Sequence, residues 1–205
     1  MKFVLFVEGH TEQKAVPPFL KRWLDRQLRQ PVGIKSVRFD GWPELVKDVE
    51  IKARMHLKSP DVIAVVSLLD LYGPTFYPPD ALTAAQRQQR GKKFIEQKVN
   101  HARFLHAFAV HETEAWLLSQ PDLFPREVRD LFPDKIKTPE QVNFNEPPAR
   151  LLDRLYRQAK RLSYKKVVYG TQLFAQLDPE TAYQKCPQLG ALLDDLLRLA
   201  RAAGL

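Results

Sequence analysis

The sequence predicts an α/β protein: a mainly parallel sheet flanked by helices, followed by a helical C-terminal extension. Apolar runs at Lys2–Val7, Asp61–Leu69 and Phe104–Val110 each precede a stretch whose apolar residues recur at helical spacing. Strands that alternate with helices in this order pair in parallel, because each helix carries the chain back along the sheet. From about Pro148 the pattern is helical only, with turns at Gly170 and Pro187. We therefore expect a core over 1–147 and a basic helical extension over 148–205, packed on it.

The elements follow in order. Lys2–Val7 ends at Glu8-Gly9, a buried strand running into a turn. Thr11 is placed to cap the next helix, with Glu12 in its first turn. Phe19, Leu20, Trp23, Leu24 and Leu28 give that helix an apolar face. Pro17-Pro18 argue for a kink, or for a helix that begins only there. Ile34–Phe39 reads as a weaker strand, and Pro43–Leu57 as a helix with Leu45, Val46, Val49 and Met55 inward. Asp61–Leu69 ends at Asp70 and has the unbroken apolar character of a strand buried on both faces. A loop from Gly73-Pro74 to Pro79 leads to a basic helix over Ala81–Val99. Phe104–Val110 is another strand, ending at His111-Glu112, and Glu114–Ser119 begins a helix that Pro121 stops.

Composition bounds the function. With 205 residues, 44% hydrophobic and 27% charged, the chain can bury a sizeable core. No apolar run reaches the roughly 18 residues of a membrane span, and the start lacks the pattern of a signal peptide. The single cysteine, Cys186, excludes a disulfide framework and a cysteine-based zinc site; it fits a reducing cytoplasm and a small core residue. The formal charge is +8, and residues 149–205 carry 10 basic and 5 acidic side chains. A basic balance favours polyanionic partners. The Gly-x-x-x-x-Gly-Lys-Ser/Thr, Gly-x-Gly-x-x-Gly and Gly-x-Ser-x-Gly signatures are absent, which argues against ATP hydrolysis, a dinucleotide site and a serine nucleophile.

The acids carry the sharper signal. Glu8, Asp70, and Glu112 with Glu114 stand at the C-terminal ends of three predicted strands, where open parallel sheets collect their ligands. Carboxylates sharing one pocket repel one another unless cations join them, and a few hard oxygen ligands suit Mg²⁺ or Mn²⁺. The plainer alternative is that each acid marks a loop where a strand surfaces. His10 and His111 flank these acids and are candidates for metal binding or proton transfer; His56, His101 and His106 have no acidic motif beside them.

Glu8-Gly9-His10-Thr11-Glu12 after a first strand resembles the opening motif of the Toprim superfamily, especially the overcoming-lysogenization-defect (OLD) nuclease branch. Ser67-Leu68-Leu69-Asp70-Leu71-Tyr72-Gly73 resembles the second Toprim motif, Asp-x-Asp, with Tyr72 at the second aspartate. The Asp-x-Tyr-Gly version, His111-Glu112-Thr113-Glu114-Ala115-Trp116, Asn145-Glu146-Pro147-Pro148-Ala149-Arg150, Tyr164-Lys165-Lys166-Val167-Val168-Tyr169-Gly170 and Cys186-Pro187 together resemble the domain family DUF4276 over nearly the full length. The resemblance implies a Toprim-like core, a divalent metal (Mg²⁺ or Mn²⁺) and phosphodiester chemistry on nucleic acid, DNA or RNA. It assigns Glu8 as metal ligand or general acid/base, Asp70 as the principal metal ligand, and Glu12, Glu112 and Glu114 as further ligands, with Glu114 also catalytic. Tyr72 then implies one metal, or a second held by Glu12 and Glu114.

Two basic segments remain. Arg87, Arg90, Lys92 and Lys93 read as a solvated helix surface. Arg150, Arg154, Arg157, Lys160, Arg161, Lys165 and Lys166 are interleaved with Tyr156, Tyr164 and Tyr169, a mixture suited to phosphates and unstacked bases. Arg150, Arg154, Arg157 and Arg161 share one helical face; these arginines, Lys166 and Tyr72 are the candidate phosphate or nucleic-acid contacts. Trp23, Trp42 and Trp116 are core or interface anchors. The leading expectation is a metal-dependent nuclease, by family analogy in defence against mobile DNA and beside a separate ATPase partner. The rivals are a non-catalytic nucleic-acid-binding or regulatory subunit and a small-nucleotide phosphatase.

Overall fold

The computed structural model describes residues 1–142, 145–160 and 162–205, without the side chain of Lys160. Arg161, placed above on the basic face, lies outside the described residues. Strands β1 (Lys2–Val7), β2 (Gly33–Arg38), β3 (Val62–Asp70) and β4 (Phe104–Ala109) form an all-parallel sheet in the order β2-β1-β3-β4. β1 and β3 lie inside it, which is why Phe3–Val7 and all of Val62–Asp70 are buried. Val7 pairs with Arg38 and Leu68, and Asp70 with Ala109, so the strands deliver their C-terminal ends to one edge of the molecule.

Helices cover both faces. Alternate residues of β1 feed two cores, because successive strand side chains point to opposite sides. Val4 and Phe6 join Leu45, Val49, Ala53 and Ile95 from α2 (Trp42–Leu57) and α3 (Ala84–Val99). Phe3, Leu5 and Val7 join Phe19 and Leu24 of α1 (His10–Gln27). That second core also takes in α4 (Glu114–Leu118), α5 (Arg126–Arg129), α6 (Pro148–Lys160), α7 (Thr171–Gln176), α8 (Pro179–Lys185) and α9 (Pro187–Ala202). At its centre Trp116 is buried against Phe19 and Phe174, with ring centroids 6.0 and 6.2 Å away. Trp23 stacks on Tyr183 at 4.7 Å, and Cys186 is buried in the same core.

Four local readings change. Gly9, with extended backbone, is the N-cap of α1, and Thr11 is buried in the first turn without capping it. The helix starts early because the step from strand to helix is tight: a Cβ at Gly9 would collide with Glu12 Oε2, which folds back over the turn. α1 also begins before Pro17 and Pro18 and contains both. Pro17 cannot donate to the Gln13 carbonyl; the Ser36 hydroxyl donates to it instead, at 3.4 Å. Met55 is exposed, since the buried side of α2 follows Leu45, Val49, Ala53 and Leu57, a four-residue spacing that turns Met55 outward. α3 begins at Ala84 and not Ala81, because Thr83 and Gln86 close a reciprocal capping box there.

Candidate metal centre

The strand ends assemble a nest of carboxylates. Glu8 leaves β1 beside the end of β3, and its Oε1 accepts the Asp70 N–H at 3.1 Å. Asp70 Oδ1 accepts the Thr113 N–H at 3.0 Å, which ties β3 to the loop after β4. Glu12, one turn into α1, and Glu114, first residue of α4, close the nest from the other side. The Thr113 hydroxyl sits between them, 3.5 Å from Glu12 Oε1 and 3.4 Å from Glu114 Oε2. Into this ring comes the Lys166 ammonium, 3.1 Å from Glu12 Oε1, 3.1 Å from Glu114 Oε2 and 3.3 Å from Asp70 Oδ2. The side chains of Glu12, Asp70 and Glu114 are 5%, 11% and 0% exposed, against 32% for Lys166. Its charged head is enclosed while its stem reaches in from the surface. The chain brings Lys166 there on a single wide helical turn, Lys166–Gly170, packed on α1.

The other sequence candidates divide. Glu112 is not paired with Lys166: its Oε2 accepts the Ala149 N–H at 2.8 Å and holds the start of α6, while its charge adds to the rise that burial causes in the pKa of Glu114. That bond brings Arg150 to the rim, with its guanidinium 5.9 Å from the centroid of the Tyr72 ring. Arg154 forms a two-pronged pair with Glu146 at 2.5 and 3.2 Å, and Arg157 pairs with Asp153 at 2.8 Å. His111 is buried next to Glu112, and burial lowers its pKa; His10 is exposed. His106 is buried in β4, accepting or donating through Nδ1 to the Ser67 hydroxyl at 2.7 Å, away from the acids.

A model of the family described as "Domain of unknown function (DUF4276)" matches residues 7–197. The chain belongs to the DUF4276 family. A search of curated proteins gives no match. Among solved structures, the C-terminal region of the Xanthomonas campestris pv. campestris OLD protein is similar at 19% identity and a TM-score of 0.48, over 98% of this chain and 94% of that one. The C-terminal region of the Burkholderia pseudomallei OLD protein is similar at 16% identity and a TM-score of 0.46, over 95% and 98% respectively.

In this DUF4276 protein the nest carries more negative charge than its one ammonium balances. Burial raises the pKa of Glu8; the Asp70 N–H opposes the rise and Glu12 adds to it. Asp70 is raised well above the ordinary range, again by burial, with Lys166 opposing and Glu12, Glu8 and Glu114 reinforcing. Burial likewise raises Glu114 against the pull of Lys166. For Lys166, burial disfavours the charge, but Asp70, Glu114 and Glu12 overcome it and hold the ammonium protonated. One group escaped the sequence reading. Thr113 works through its backbone N–H, which no sequence motif displays. Tyr164, read there with Tyr156 as a face for phosphates and bases, is buried with it instead. Its hydroxyl is 3.0 Å from where a Cβ of Gly170 would stand, so glycine there makes room for the ring beneath the Lys166 turn.

The donor set fits a hard divalent ion. Its atoms are carboxylate oxygens, and Glu114 Oε1, fully buried, has no hydrogen-bond partner among the described residues. An oxygen so placed costs free energy unless a cation or donor meets it. Among the described residues no three acidic or imidazole side chains already surround one point as metal ligands; Glu12, Asp70 and Glu114 converge on Lys166 Nζ.

Proposed function

We propose that this DUF4276 protein is a divalent-metal-dependent nuclease, hydrolysing phosphodiester bonds of nucleic acid at the strand-end nest. The observation that carries the reading is the convergence of Glu12, Asp70 and Glu114 around one ammonium, with Glu8 joined to Asp70 through the Asp70 N–H. Surface acids marking loops have no reason to face one another at the cost of desolvation.

Glu8 and Asp70 would hold Mg²⁺ or Mn²⁺, with Glu12 and Glu114 beside them around Lys166. Such an ion supplies Lewis acidity toward a phosphoryl oxygen. The chain's own residues do the rest. Thr113 fixes one oxygen of Asp70, and Asp70 fixes Glu8, so the two carboxylates keep their orientation when a phosphate arrives. Arg150 at the rim neutralises a backbone phosphate, and the ring of Tyr72 beneath it offers a face to a base or sugar. Lys166 adds positive charge on the side of Glu12 and Glu114. The basic 149–205 segment provides the wider electrostatic attraction.

The test is cleavage of end-labelled single-stranded and duplex DNA and RNA with Mg²⁺ or Mn²⁺. Cutting by the wild type that is lost in a Glu8→Gln, Asp70→Asn double variant is the expected result. Cutting that survives in that variant overturns the site. Binding without cutting on all substrates, with a candidate ATPase partner added, favours a regulatory subunit, the reading that Tyr72 and the ammonium in the nest would support.

A further inference from the structure

Lys166 is more than a phosphate ligand at the edge of the site. Its Nζ stands within ion-pair distance of three carboxylates that come from three separate elements: Glu12 of α1, Asp70 of β3 and Glu114 of α4. The three distances agree to 0.2 Å, between 3.1 and 3.3 Å, so the ammonium is centred and not paired to one partner. Glu8 is outside this group; its carboxylate accepts the Asp70 N–H and makes no ion pair with Lys166. The nest thus has two halves that share Asp70. One half, Glu12 with Glu114, is filled by Lys166. The other, Glu8, has no lysine or arginine in ion-pair contact among the described residues.

A metal ion bound by Glu12 and Glu114 would need the same space. Mg²⁺ sits about 2.0–2.1 Å from its oxygens, so an ion bound to all three of these carboxylates would overlap the Lys166 ammonium. Tyr72 bears on the same point. A carboxylate two residues after Asp70 would add charge for a second divalent ion; a tyrosine adds none. Two features show that the lysine is built into this position. Its turn is packed on α1, with Tyr164 seated under it in the space that Gly170 leaves. Among the described residues, Lys166 is also the cation in ion-pair contact with all three of these acids.

We propose that Lys166 is the resident counter-cation of this centre: its ammonium holds the place between Glu12, Asp70 and Glu114 that a second metal ion would take, so the protein binds one divalent ion, on the Glu8 side of Asp70. The inference rests on the metal-dependent reading above and specifies its stoichiometry.

Calorimetric titration of the full chain with Mn²⁺, with free ion counted in parallel by electron paramagnetic resonance, reads the number directly. The wild type takes up one ion, and Lys166→Met takes up two. At saturating Mn²⁺, Lys166 also stays protected from acylation by an amine-reactive ester, relative to the exposed Lys165, as read by peptide mass spectrometry. Two ions in the wild type overturn the inference even if Lys166→Met fails to fold. So does one ion in a folded Lys166→Met, or labelling of Lys166 as fast as Lys165 once Mn²⁺ is bound. Wild type that binds no ion overturns the metal reading itself and this inference with it.

Discussion

The protein buries carboxylates in two places, and they are built on opposite plans. At the strand ends, Glu8, Glu12, Asp70 and Glu114 face one another with a single ammonium among them. Glu140 sits alone at the start of α9, where its two oxygens accept the Gln188 N–H at 2.8 Å and the Leu189 N–H at 3.1 Å. Burial raises the pKa of Glu140 to about 7, with those two N–H groups pulling it down. Both hydrogen-bond partners of Glu140 are donors, and its task is complete: it caps a helix and joins the 134–142 segment to α9. In the nest most neighbours are further acceptors. A buried acid among donors holds structure; buried acids among acceptors remain short of cations.

The largest difference between the two regions should be in metal affinity. Asp70→Asn should weaken Mn²⁺ binding about a hundredfold or more, whereas Glu140→Gln and Asp61→Asn leave it unchanged in calorimetry. Asp61 is an exposed partner of Lys2 at the opposite end of β3, which makes it the matched control. Equal losses in all three variants would dissolve the comparison.

Next in size is the shared core under the nest. Trp116→Ala removes a fully buried ring two residues from Glu114 and should cost about 3–5 kcal/mol in urea unfolding. A negligible shift would mean that α4 is not anchored through this ring.

The pH dependence sharpens the contrast further. Glu140 ionises near its ordinary 4.5 when unfolded and at about 7 when folded. Between those values the folded state keeps a proton that the unfolded state has released, so this residue's contribution to stability falls as pH rises through that window. The fall is at most about 3 kcal/mol. Glu140→Gln should flatten it; denaturation midpoints at pH 5 and pH 8 that drop alike in both proteins would contradict the assignment.

The smallest effect concerns the rim. Arg150→Ala should reduce the slope of log affinity against log salt by roughly 0.9 for duplex or 0.7 for a single strand, the share of one phosphate. Arg154→Ala, which loses an exposed pair with Glu146, should change stability by less than about 1 kcal/mol.

What could be read from the sequence follows the same division. The strands and their terminal acids were legible because burial and period are local: Val62–Asp70 is apolar throughout and its exit is polar. The opening Glu-Gly-x-x-Glu placed Glu8 and Glu12 on either side of a strand-to-helix step, and the Gly9 contact with Glu12 explains that spacing. Long-range placements were not legible. Lys166 reaches Asp70 across 96 residues, and nothing in Tyr164-Lys165-Lys166 tells which lysine turns inward. Glu112 and Glu114 look alike in His-Glu-Thr-Glu, yet the backbone sends one to cap α6 and the other into the nest. Met55 and Thr11 misled for a simpler reason, since residue type alone fixes neither the phase of a helix nor its first residue.

Crystals grown with Mn²⁺ and measured at the manganese absorption edge would test the central claim most directly. An anomalous peak at the Asp70 carboxylate, on the side of Glu8, with none at Glu140, is the predicted result. No peak at Asp70 at an ion concentration that saturates binding, or a peak confined to Glu140 or to surface acids, would contradict it.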